Sequence, residues 1–256
     1  MDDELIYGWH AVLAVLEQTP QRVLQLWLDE NRSGPRPEAV QHLARAAQVT
    51  LTPIARAELE TLVGTVNHQG IAARCCKKEA VAETDLAGFL TRLVPPAFLL
   101  VLDGVQDPHN LGACLRSADA AGVHAVILPR DKAVAITPTV RKVASGAAET
   151  MPVFQVTNLA RTLDQLKNAG IWLVGLSDAA EDTLYTLDLR GPLALILGAE
   201  GSGLRRLTRE RCDFLAHIPM MGSVSSLNVS VATGICLFEA LRQRRPAVGG
   251  PDSAGP

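Results

Sequence analysis

The sequence predicts an α/β protein with two domains, a small α/β domain followed by a larger one built on a parallel sheet. From Ala97 onward, short apolar runs alternate with stretches of helical periodicity. The runs are predominantly apolar, which is typical of strands that helices cover on both faces. Residues 5 to about 75 alternate in the same way, and a unit of about 70 residues is long enough to fold by itself.

The first domain, residues 1–76, contains helical and strand patterns in turn. Helices are predicted at Trp9–Glu17, Pro37–Ala47 and Arg56–Val63, and strands at Val23–Leu28, Val49–Thr52 and Gly70–Cys75. Residues 77–96 begin with charges and end in two prolines, so a linker with a short helix at Asp85–Leu93 is predicted there.

The second domain, residues 97–245, supplies the parallel sheet. Strands are predicted at Phe98–Val105, Ala125–Leu128, Val153–Val156, Trp172–Leu176, Leu193–Leu197 and Phe214–Ile218. Helices are predicted at Asn110–Ala121, Thr137–Ala148, Leu159–Ala169, Leu204–Arg211 and Ser226–Gln243. Ligands of such sheets usually bind beyond the carboxyl ends of the strands, so functional residues are expected in the loops that follow them. Residues 246–256 are rich in glycine, proline and alanine and are predicted to be disordered.

The overall composition argues against several classes of protein. The 256 residues carry a formal net charge of −3, so any nucleic-acid surface has to be a local basic patch. The five cysteines form no CxxC pair and the six histidines no HExxH motif, which favours reduced thiols and predicts no metal site. The N-terminus does not have the pattern of a signal peptide, and no apolar window is long enough for a membrane span. A cytoplasmic protein without membrane contact is therefore predicted.

Local basic clusters could nevertheless contact a polyanion. They are Arg130 with Lys132, Arg141 with Lys142, and the run of Arg205, Arg206, Arg209 and Arg211. Any one of these clusters is more often a solvated face than a binding site. Together they are the expected phosphate footprint if the partner is a nucleic acid.

The stretch Phe214–Leu241 combines a short strand, a turn and a long helix. Pro219 is expected to end the strand, because proline lacks the donor that a ladder needs. Ser225 or Ser226 is the predicted N-cap of the helix, since its hydroxyl can accept from the free N–H groups of the first turn. Small residues recur at Ser226, Ser230 and Gly234, beside an apolar stripe of Leu227, Val231 and Phe238. The polar residues at this helix start fit either capping with a close helix contact or a functional site.

Two earlier stretches also place polar residues after predicted strands. In Asp107–Gly122, Asn110 is predicted to cap a helix, and Arg116 lies within two turns of the helix start. In Gly198–Gly203, the glycines allow positive φ and close approach of a ligand, and Glu200 is a single charge among them. The spacing fits neither a dinucleotide loop nor a Walker phosphate loop. On these residues alone, Arg116 could be a surface arginine and Glu200 a helix-start carboxylate.

These three motifs, IPMMGSVSSLNVSVATGICLFE, DPHNLGACLRSADAAG and LALILGAEGSGL, resemble in sequence and order those of the SpoU-type RNA ribose 2′-O-methyltransferases, members of the knotted SPOUT superfamily. The resemblance implies a deep trefoil knot, which general topological rules would not propose. It also implies S-adenosylmethionine as cofactor and a homodimer with the active site near the subunit boundary.

The resemblance further assigns the site residues. It makes Arg116 the principal catalytic residue, supported by Asn110, Glu200, Ser226 and Asn228. It places the cofactor against the backbone around Gly198, Gly203, Ile218, Met220 and Leu227. Because a guanidinium stays charged at any working pH, Arg116 is expected to clamp an RNA phosphate and steady the developing alkoxide, not to act as a base.

The first domain resembles the N-terminal substrate-binding domain of the large-subunit rRNA guanosine methyltransferases of this family, through YGWHAVLAVL and VNHQGIAA. The implied fold is like ribosomal protein L30e, although an unrelated α/β interaction domain is the alternative. The expected function is methylation of a guanosine ribose 2′-hydroxyl in 23S rRNA. The alternatives are a tRNA ribose methyltransferase of the same family and a non-catalytic RNA-binding or ribosome assembly factor.

Overall fold

The computed structural model describes residues 3–64, 67–78, 81–201 and 203–245. The tail 246–256, predicted to be disordered, and Ser202 of the glycine-rich motif lie outside the described residues. The helices and strands are β1 (Asp3–Tyr7), α1 (Trp9–Gln18), β2 (Val23–Asp29), α2 (Pro35–Ala46), β3 (Leu51–Ile54), α3 (Arg56–Val63), β4 (Ile71–Cys76), α4 (Leu86–Arg92), β5 (Phe98–Asp103), α5 (Pro108–Ala120), β6 (Ala125–Pro129), α6 (Pro138–Val143), α7 (Ala147–Thr150), β7 (Val153–Val156), α8 (Leu159–Asn168), β8 (Trp172–Leu176), β9 (Asp182–Thr183), β10 (Leu193–Gly198), α9 (Arg206–Arg209), β11 (Phe214–His217) and α10 (Val229–Arg244).

The N-terminal sheet has the strand order β1-β4-β2-β3. Strands β1 and β2 run antiparallel to β4, and β3 runs parallel to β2. Strand β1 was not predicted, because its acidic start gives no clear alternation of apolar and polar residues. The larger core of this domain lies between the sheet and helices α1 and α2, where Val12 and Val40 are fully buried.

The C-terminal sheet is parallel throughout, as predicted, with the order β7-β6-β5-β10-β8-β11-β9. Successive residues of β5 point to opposite faces, and both faces are buried. Leu100 and Leu102 join a core formed with α5, α6, α7 and α10, whereas Leu99 and Val101 join one formed with α4 and α8. This double burial explains why the strand sequences are apolar at consecutive positions.

The predicted linker, 77–96, packs against this sheet through its described residues from Val81 onward. Leu86 of α4 is fully buried in the core beside β5, and Val81 forms a parallel bridge with Phe154. In the parts of the chain that the structure describes, no helix combines the length and apolarity needed to cross a membrane.

Two helices differ from the prediction. The predicted helix Thr137–Ala148 is divided into α6 and α7, because Ser145 and Gly146 have positive φ values of 52° and 98°. A Cβ at Gly146 would lie 3.2 Å from the carbonyl oxygen of His10 in α1, so the break lets the two domains approach closely. Helix α9 covers Arg206–Arg209 and is shorter than predicted.

The last helix also departs from its predicted start and stripe. Helix α10 begins at Val229 with Asn228 as its N-cap, so neither Ser225 nor Ser226 caps it. Val231 and Phe238 of the predicted apolar stripe are 51% and 49% exposed in the single chain. The buried positions of the helix include Thr233, Cys236, Leu237 and Ala240. An exposed apolar face is therefore left on α10.

A buried ionic network joins the two domains. The wholly buried Glu149 carboxylate pairs with Arg22 at 2.8 Å and with Arg141, and Glu4 pairs with the same two arginines at 2.5 and 2.9 Å. Lys78 Nζ donates to the carbonyl oxygen of Glu149 at 2.6 Å. Arg141 is buried and paired with Glu4 and Glu149, so its predicted part in an RNA-binding cluster with Lys142 is wrong. The network fixes the N-terminal domain against α7.

Candidate active site

A cavity of about 760 Å³ opens at the carboxyl ends of β8, β10 and β11. Its size is typical of a small-molecule site. Eight of the ten predicted site residues line it, namely Gly198, Glu200, Gly203, Ile218, Met220, Ser226, Leu227 and Asn228. The residues that the resemblance assigned thus lie at the strand ends, where ligands of parallel sheets usually bind.

The glycine-rich loop after β10 folds back over the end of its own strand. Ala199 and Gly203 form an antiparallel bridge, and a Cβ at Gly198 would lie 2.0 Å from the carbonyl carbon of Gly203. Because this neighbour is main chain and cannot move aside, position 198 requires glycine. Gly201 and Gly203 have φ values of 76° and 62°, a region that glycine enters without strain. The loop thus presents backbone to the cavity.

The opposite wall is the segment 218–227 between β11 and α10. None of its backbone N–H or C=O groups bonds to another described backbone group. Ile218, Met220 and Leu227 from this segment line the cavity. Unpaired main-chain donors and acceptors beside apolar side chains suit a ligand that is apolar with a few polar edges.

Three polar residues meet at the rim of this cavity. Glu200 Oε1 accepts from Asn110 Nδ2 at 3.0 Å and from Asn228 Nδ2 at 2.5 Å, and it lies 3.4 Å from the Val229 backbone nitrogen. Asn228 Nδ2 also donates to Asn110 Oδ1 at 3.0 Å. Three donors on one oxygen fix the carboxylate, while Oε2 accepts from no described residue. Glu200 is therefore oriented with one oxygen available to a substrate.

The helix starts explain how these amides reach Glu200. Asp107 caps α5 by accepting from the backbone nitrogens of His109 and Asn110, so the predicted capping role of Asn110 is wrong. Asn110 instead lies inside the first turn, nine-tenths buried, with its amide toward Glu200. Asn228 both accepts from the Ser230 backbone nitrogen and donates to Glu200. The cap of α10 is thus part of the site.

The structure does not bring Arg116 to this cluster within one chain. Arg116 is exposed on α5 and forms no hydrogen bond or ion pair with any described residue. Successive helical residues are 100° apart, so a separation of six residues turns Arg116 about 120° away from Asn110. Ser226 is exposed, and it lines the cavity without bonding to the described members of the cluster.

Several lining residues were not predicted from the sequence to belong to this site, among them Ser177, Asp178 and His217. Arg209 also lines it, although it was predicted as part of a phosphate-binding cluster. Asp178 could have been found by the strand-end rule, because it is the first charge after β8. His217 Nδ1 is buried without a hydrogen-bond partner among the described residues, and no pattern in the sequence indicates this.

The nearby cysteines are poor candidates for nucleophiles. Burial raises the pKa of Cys114 to about 11 and that of Cys236 to about 12, so neither is a thiolate near neutral pH. Cys114 contacts the Thr233 hydroxyl at 3.3 Å. Among the residues described, no three potential ligands cluster as a metal site. Glu200 and the two asparagines are therefore the hydrogen-bonded polar cluster of this site.

Comparison with known proteins matches both parts of the chain. The SpoU rRNA Methylase family model matches residues 97–238, and the model for RNA 2′-O ribose methyltransferase substrate binding matches residues 5–81. A Pseudomonas putida protein named 23S rRNA (guanosine-2′-O-)-methyltransferase RlmB is 56% identical over 242 residues, covering 94% of this chain and 97% of its own. A Coxiella burnetii protein of the same name is 55% identical and covers 93% and 95%.

Solved structures agree with these matches. A structure titled RNA 2′-O ribose methyltransferase has a TM-score of 0.78 at 31% identity, covering 94% of this chain and 89% of its own. The tRNA modifying enzyme TrmH/SpoU of A. aeolicus has a TM-score of 0.54 at 30% identity, covering 63% and 81%. The resemblance seen in the three motifs is confirmed by relatives that extend over nearly the whole chain, and the chain belongs to the SpoU rRNA methylase family.

Proposed function

We propose that this chain transfers a methyl group from S-adenosylmethionine to the ribose 2′-oxygen of a guanosine in 23S rRNA. The observation that carries the proposal is the carboxylate of Glu200, held by two asparagine amides at the rim of a backbone-lined cavity. The choice of 23S rRNA and guanosine follows the names of relatives that share more than half of their residues with this chain.

The cavity fits the proposed cofactor. Ile218 and Leu227 supply apolar walls for a purine, and the unpaired main-chain groups of the same segment can bond to its polar edge. When bound, S-adenosylmethionine supplies an electrophilic methyl group on a sulfonium. The glycine-rich loop keeps side chains away from the floor of the cavity, so that a ligand can lie directly against Gly198 and Gly203.

Glu200 is the group of this chain that acts on the ribose. Its Oε2 can accept a hydrogen bond from the ribose 2′-hydroxyl, and this contact orients the hydroxyl oxygen. Oε2 can then receive the hydroxyl proton as the bond between that oxygen and the methyl carbon forms. Asn110 and Asn228 hold the carboxylate through Oε1 and prevent it from turning toward solvent. Ser226, on the same rim, can donate a further hydrogen bond to the ribose or the cofactor.

The N-terminal domain, residues 1–76, is the proposed rRNA-binding part, and residues 97–245 are the proposed catalytic part, joined by 77–96. The match of residues 5–81 to a substrate-binding family supports this division. The ionic network around Glu149 fixes the two parts against each other, so that together they can form one RNA-binding surface. Arg130 and Lys132, which follow β6, supply cations near the carboxyl edge of the sheet, where a phosphate backbone would pass. Acting on rRNA, the protein would work in the cytoplasm.

A homodimer explains the position of Arg116. Helices α5 and α10 contact each other, and α10 leaves Val231 and Phe238 exposed. Pairing of two chains through this surface would cover the apolar residues and bring Arg116 of one chain to the cavity of the other. There its guanidinium would clamp an RNA phosphate beside the reacting ribose. The trefoil knot stays a prediction, supported by the return of α10 onto α5 and β10 after β11.

Mixing two inactive variants tests this arrangement. If Arg116 acts in the partner's site, Arg116→Ala and Glu200→Gln homodimers are both inactive, whereas mixed dimers contain one site with both side chains intact. Equal mixing after mild dissociation makes half of the dimers mixed, each with one intact site of two, so about a quarter of wild-type activity should return. Absence of recovery in verified mixed dimers would contradict action across the interface.

Mapping of 2′-O-methyl groups in cells with and without the gene tests the function itself. We expect one guanosine of 23S rRNA to lose its 2′-O-methyl group when the gene is removed, and to regain it on complementation. Loss of a tRNA methyl group with intact 23S rRNA would instead identify a tRNA enzyme. Unchanged rRNA and tRNA would contradict a methyltransferase function.

A further inference from the structure

The cavity contains two full charges of opposite sign besides Glu200. They are the carboxylate of Asp178 and the guanidinium of Arg209. Neither side chain forms an ion pair or hydrogen bond with another side chain in the described part of the protein. Both are exposed to the cavity and to solvent. Two charges without side-chain partners among the described residues, on the wall of one cavity, indicate a ligand that carries complementary charges.

The neighbours of Arg209 show that its lack of a partner is specific. Arg205 pairs with Asp103 at 3.2 Å, Arg206 with Glu210 at 2.6 Å, and Arg211 with Asp164 at 3.1 Å. Each other arginine of this run therefore has an acidic partner. Of the four arginines in this run, Arg209 has no acidic partner among the described residues, and Arg209 is the one that lines the cavity.

The position of Asp178 follows from the sheet order. Strand β8 lies between β10 and β11, and it ends at Leu176. Asp178 comes two residues later, so it stands between the glycine-rich loop after β10 and the backbone segment after β11. Helix α9, which ends at Arg209, follows the glycine-rich loop directly. The two charges thus come from segments that follow β8 and β10, and both line the same cavity.

S-adenosylmethionine has an amino-acid end with one ammonium and one carboxylate. We propose that Arg209 binds the carboxylate and Asp178 binds the ammonium of this methionyl end. A guanidinium can form two parallel hydrogen bonds to a carboxylate, and a carboxylate accepts from an ammonium with similar strength. These two contacts would select the full cofactor over nucleosides without the amino acid. The inference rests on the proposed cofactor and adds the residues that recognise its charged end.

Three ligands that share the thioadenosine part and differ in the amino-acid end test the assignment. S-adenosylhomocysteine has both charges, its decarboxylated analogue keeps the ammonium, and 5′-methylthioadenosine has neither. Their affinities are measured by titration calorimetry with the full chain and with Arg209→Gln and Asp178→Asn. The matched controls are Arg206→Gln and Glu181→Gln, neighbours on the same helix and loop that do not line the cavity.

The expected pattern distinguishes the two contacts. Arg209→Gln should weaken S-adenosylhomocysteine on the order of 10-fold or more and leave the other two ligands unchanged. Asp178→Asn should weaken both ligands that carry the ammonium by a similar factor and leave 5′-methylthioadenosine unchanged. Retained affinity for 5′-methylthioadenosine shows that each variant is folded, and the controls should bind all three ligands like the wild type.

Several outcomes would overturn the assignment. Equal loss for all three ligands would indicate a structural role. Unchanged affinity for S-adenosylhomocysteine, with weaker binding of 23S rRNA to Arg209→Gln, would make Arg209 a phosphate contact. Either result refutes this inference while the wild type still binds the cofactor product. If the wild type bound none of the three ligands, the proposed function would fail together with the inference.

Discussion

Replacing Glu149 by glutamine should loosen the junction between the two domains. The side chain is wholly buried and neutralises Arg22 and Arg141 together. Glutamine has the same size, so it removes the charge without leaving a cavity. Afterwards Glu4 would be the remaining carboxylate of the network, facing Arg22, Arg141 and the nearby ammonium of Lys78.

The size of the effect follows from the burial of the network. Removing one partner of a buried ion pair typically costs about 3–5 kcal/mol, because the remaining charge keeps its desolvation penalty. For a protein of this length, each kcal/mol lowers Tm by roughly 2–4 °C. We therefore expect Glu149→Gln to lower Tm by about 6–20 °C. The loss should be concentrated at the domain junction, since Glu149 lies on α7 and Arg22 lies in the N-terminal domain.

Thermal unfolding and hydrogen exchange measure the two parts of this prediction. The backbone amides of α7 and β1 should exchange faster in the variant, while those of β5 and β10 at the centre of the sheet stay protected. Asp188→Asn is the control, because it removes an equally short ion pair, with Arg190 at 2.7 Å, that is open to solvent. Its Tm should match the wild type.

A Tm for Glu149→Gln within about 2 °C of the wild type would refute the reasoning. So would faster exchange spread evenly over the sheet, because that would indicate general destabilisation and no specific junction. Wild-type stability together with an uncoupled N-terminal domain would show that the network orients the domains without stabilising them.

Three further changes test other parts of the structure. Gly198→Ala should lower the free energy of unfolding by roughly 1–3 kcal/mol and abolish binding of S-adenosylhomocysteine, measured by calorimetry. Gly191→Ala is the control, because a Cβ there meets open space, and it should change neither quantity. Normal binding by Gly198→Ala would contradict the backbone contact. Burial, and then the guanidinium of Arg244, lower the pKa of His124 below 6.5. The unfolded state therefore binds more protons than the folded state as pH falls from about 6.5, and Tm should fall with it. His124→Asn should flatten this dependence of Tm on pH, and an unchanged slope would contradict the assignment to His124. Glu200→Gln should lower kcat on the order of 100-fold with little change in KM for S-adenosylmethionine, and a variant with near wild-type kcat would remove Glu200 from the chemistry.

The parallel sheet was predictable from the sequence because its strands are buried on both faces. Val153–Val156 and Trp172–Leu176 have the predicted bounds, since an apolar run between turn residues leaves little freedom in its ends. The glycine-rich loop was predictable for a similar local reason. Gly198 cannot carry a side chain, and this constraint appears directly in the amino-acid composition of the loop.

The errors lie where a distant partner decides the structure. Ser225 and Ser226 have ordinary capping side chains, but Asn228 caps α10 because it also bonds to Glu200, 28 residues away. Arg141 looked like part of a basic surface, yet it is buried against Glu4 from the other end of the chain. Periodicity and local propensity contain no information about such contacts.

Arg116 illustrates a further limit of sequence reasoning. Its motif identified it as a functional residue, and its position on α5 was predicted correctly. The direction of its side chain depends on helix phase, and under the proposed homodimer its site would belong to a second chain. A motif can therefore identify a catalytic candidate without indicating which site it serves.

The most direct test of this account uses purified protein, 23S rRNA lacking the modification, and S-adenosylmethionine with a labelled methyl group. We predict that the label is recovered as 2′-O-methylguanosine after digestion to nucleosides and lies at one position when the rRNA is cut into fragments. The Asn228→Ala variant, which removes one of the two amide donors to the Glu200 carboxylate, should yield far less of it. Label on a base, label in tRNA alone, or no transfer by a protein that binds the cofactor would contradict the claim that Glu200 and its two asparagines direct methyl transfer to a ribose of 23S rRNA.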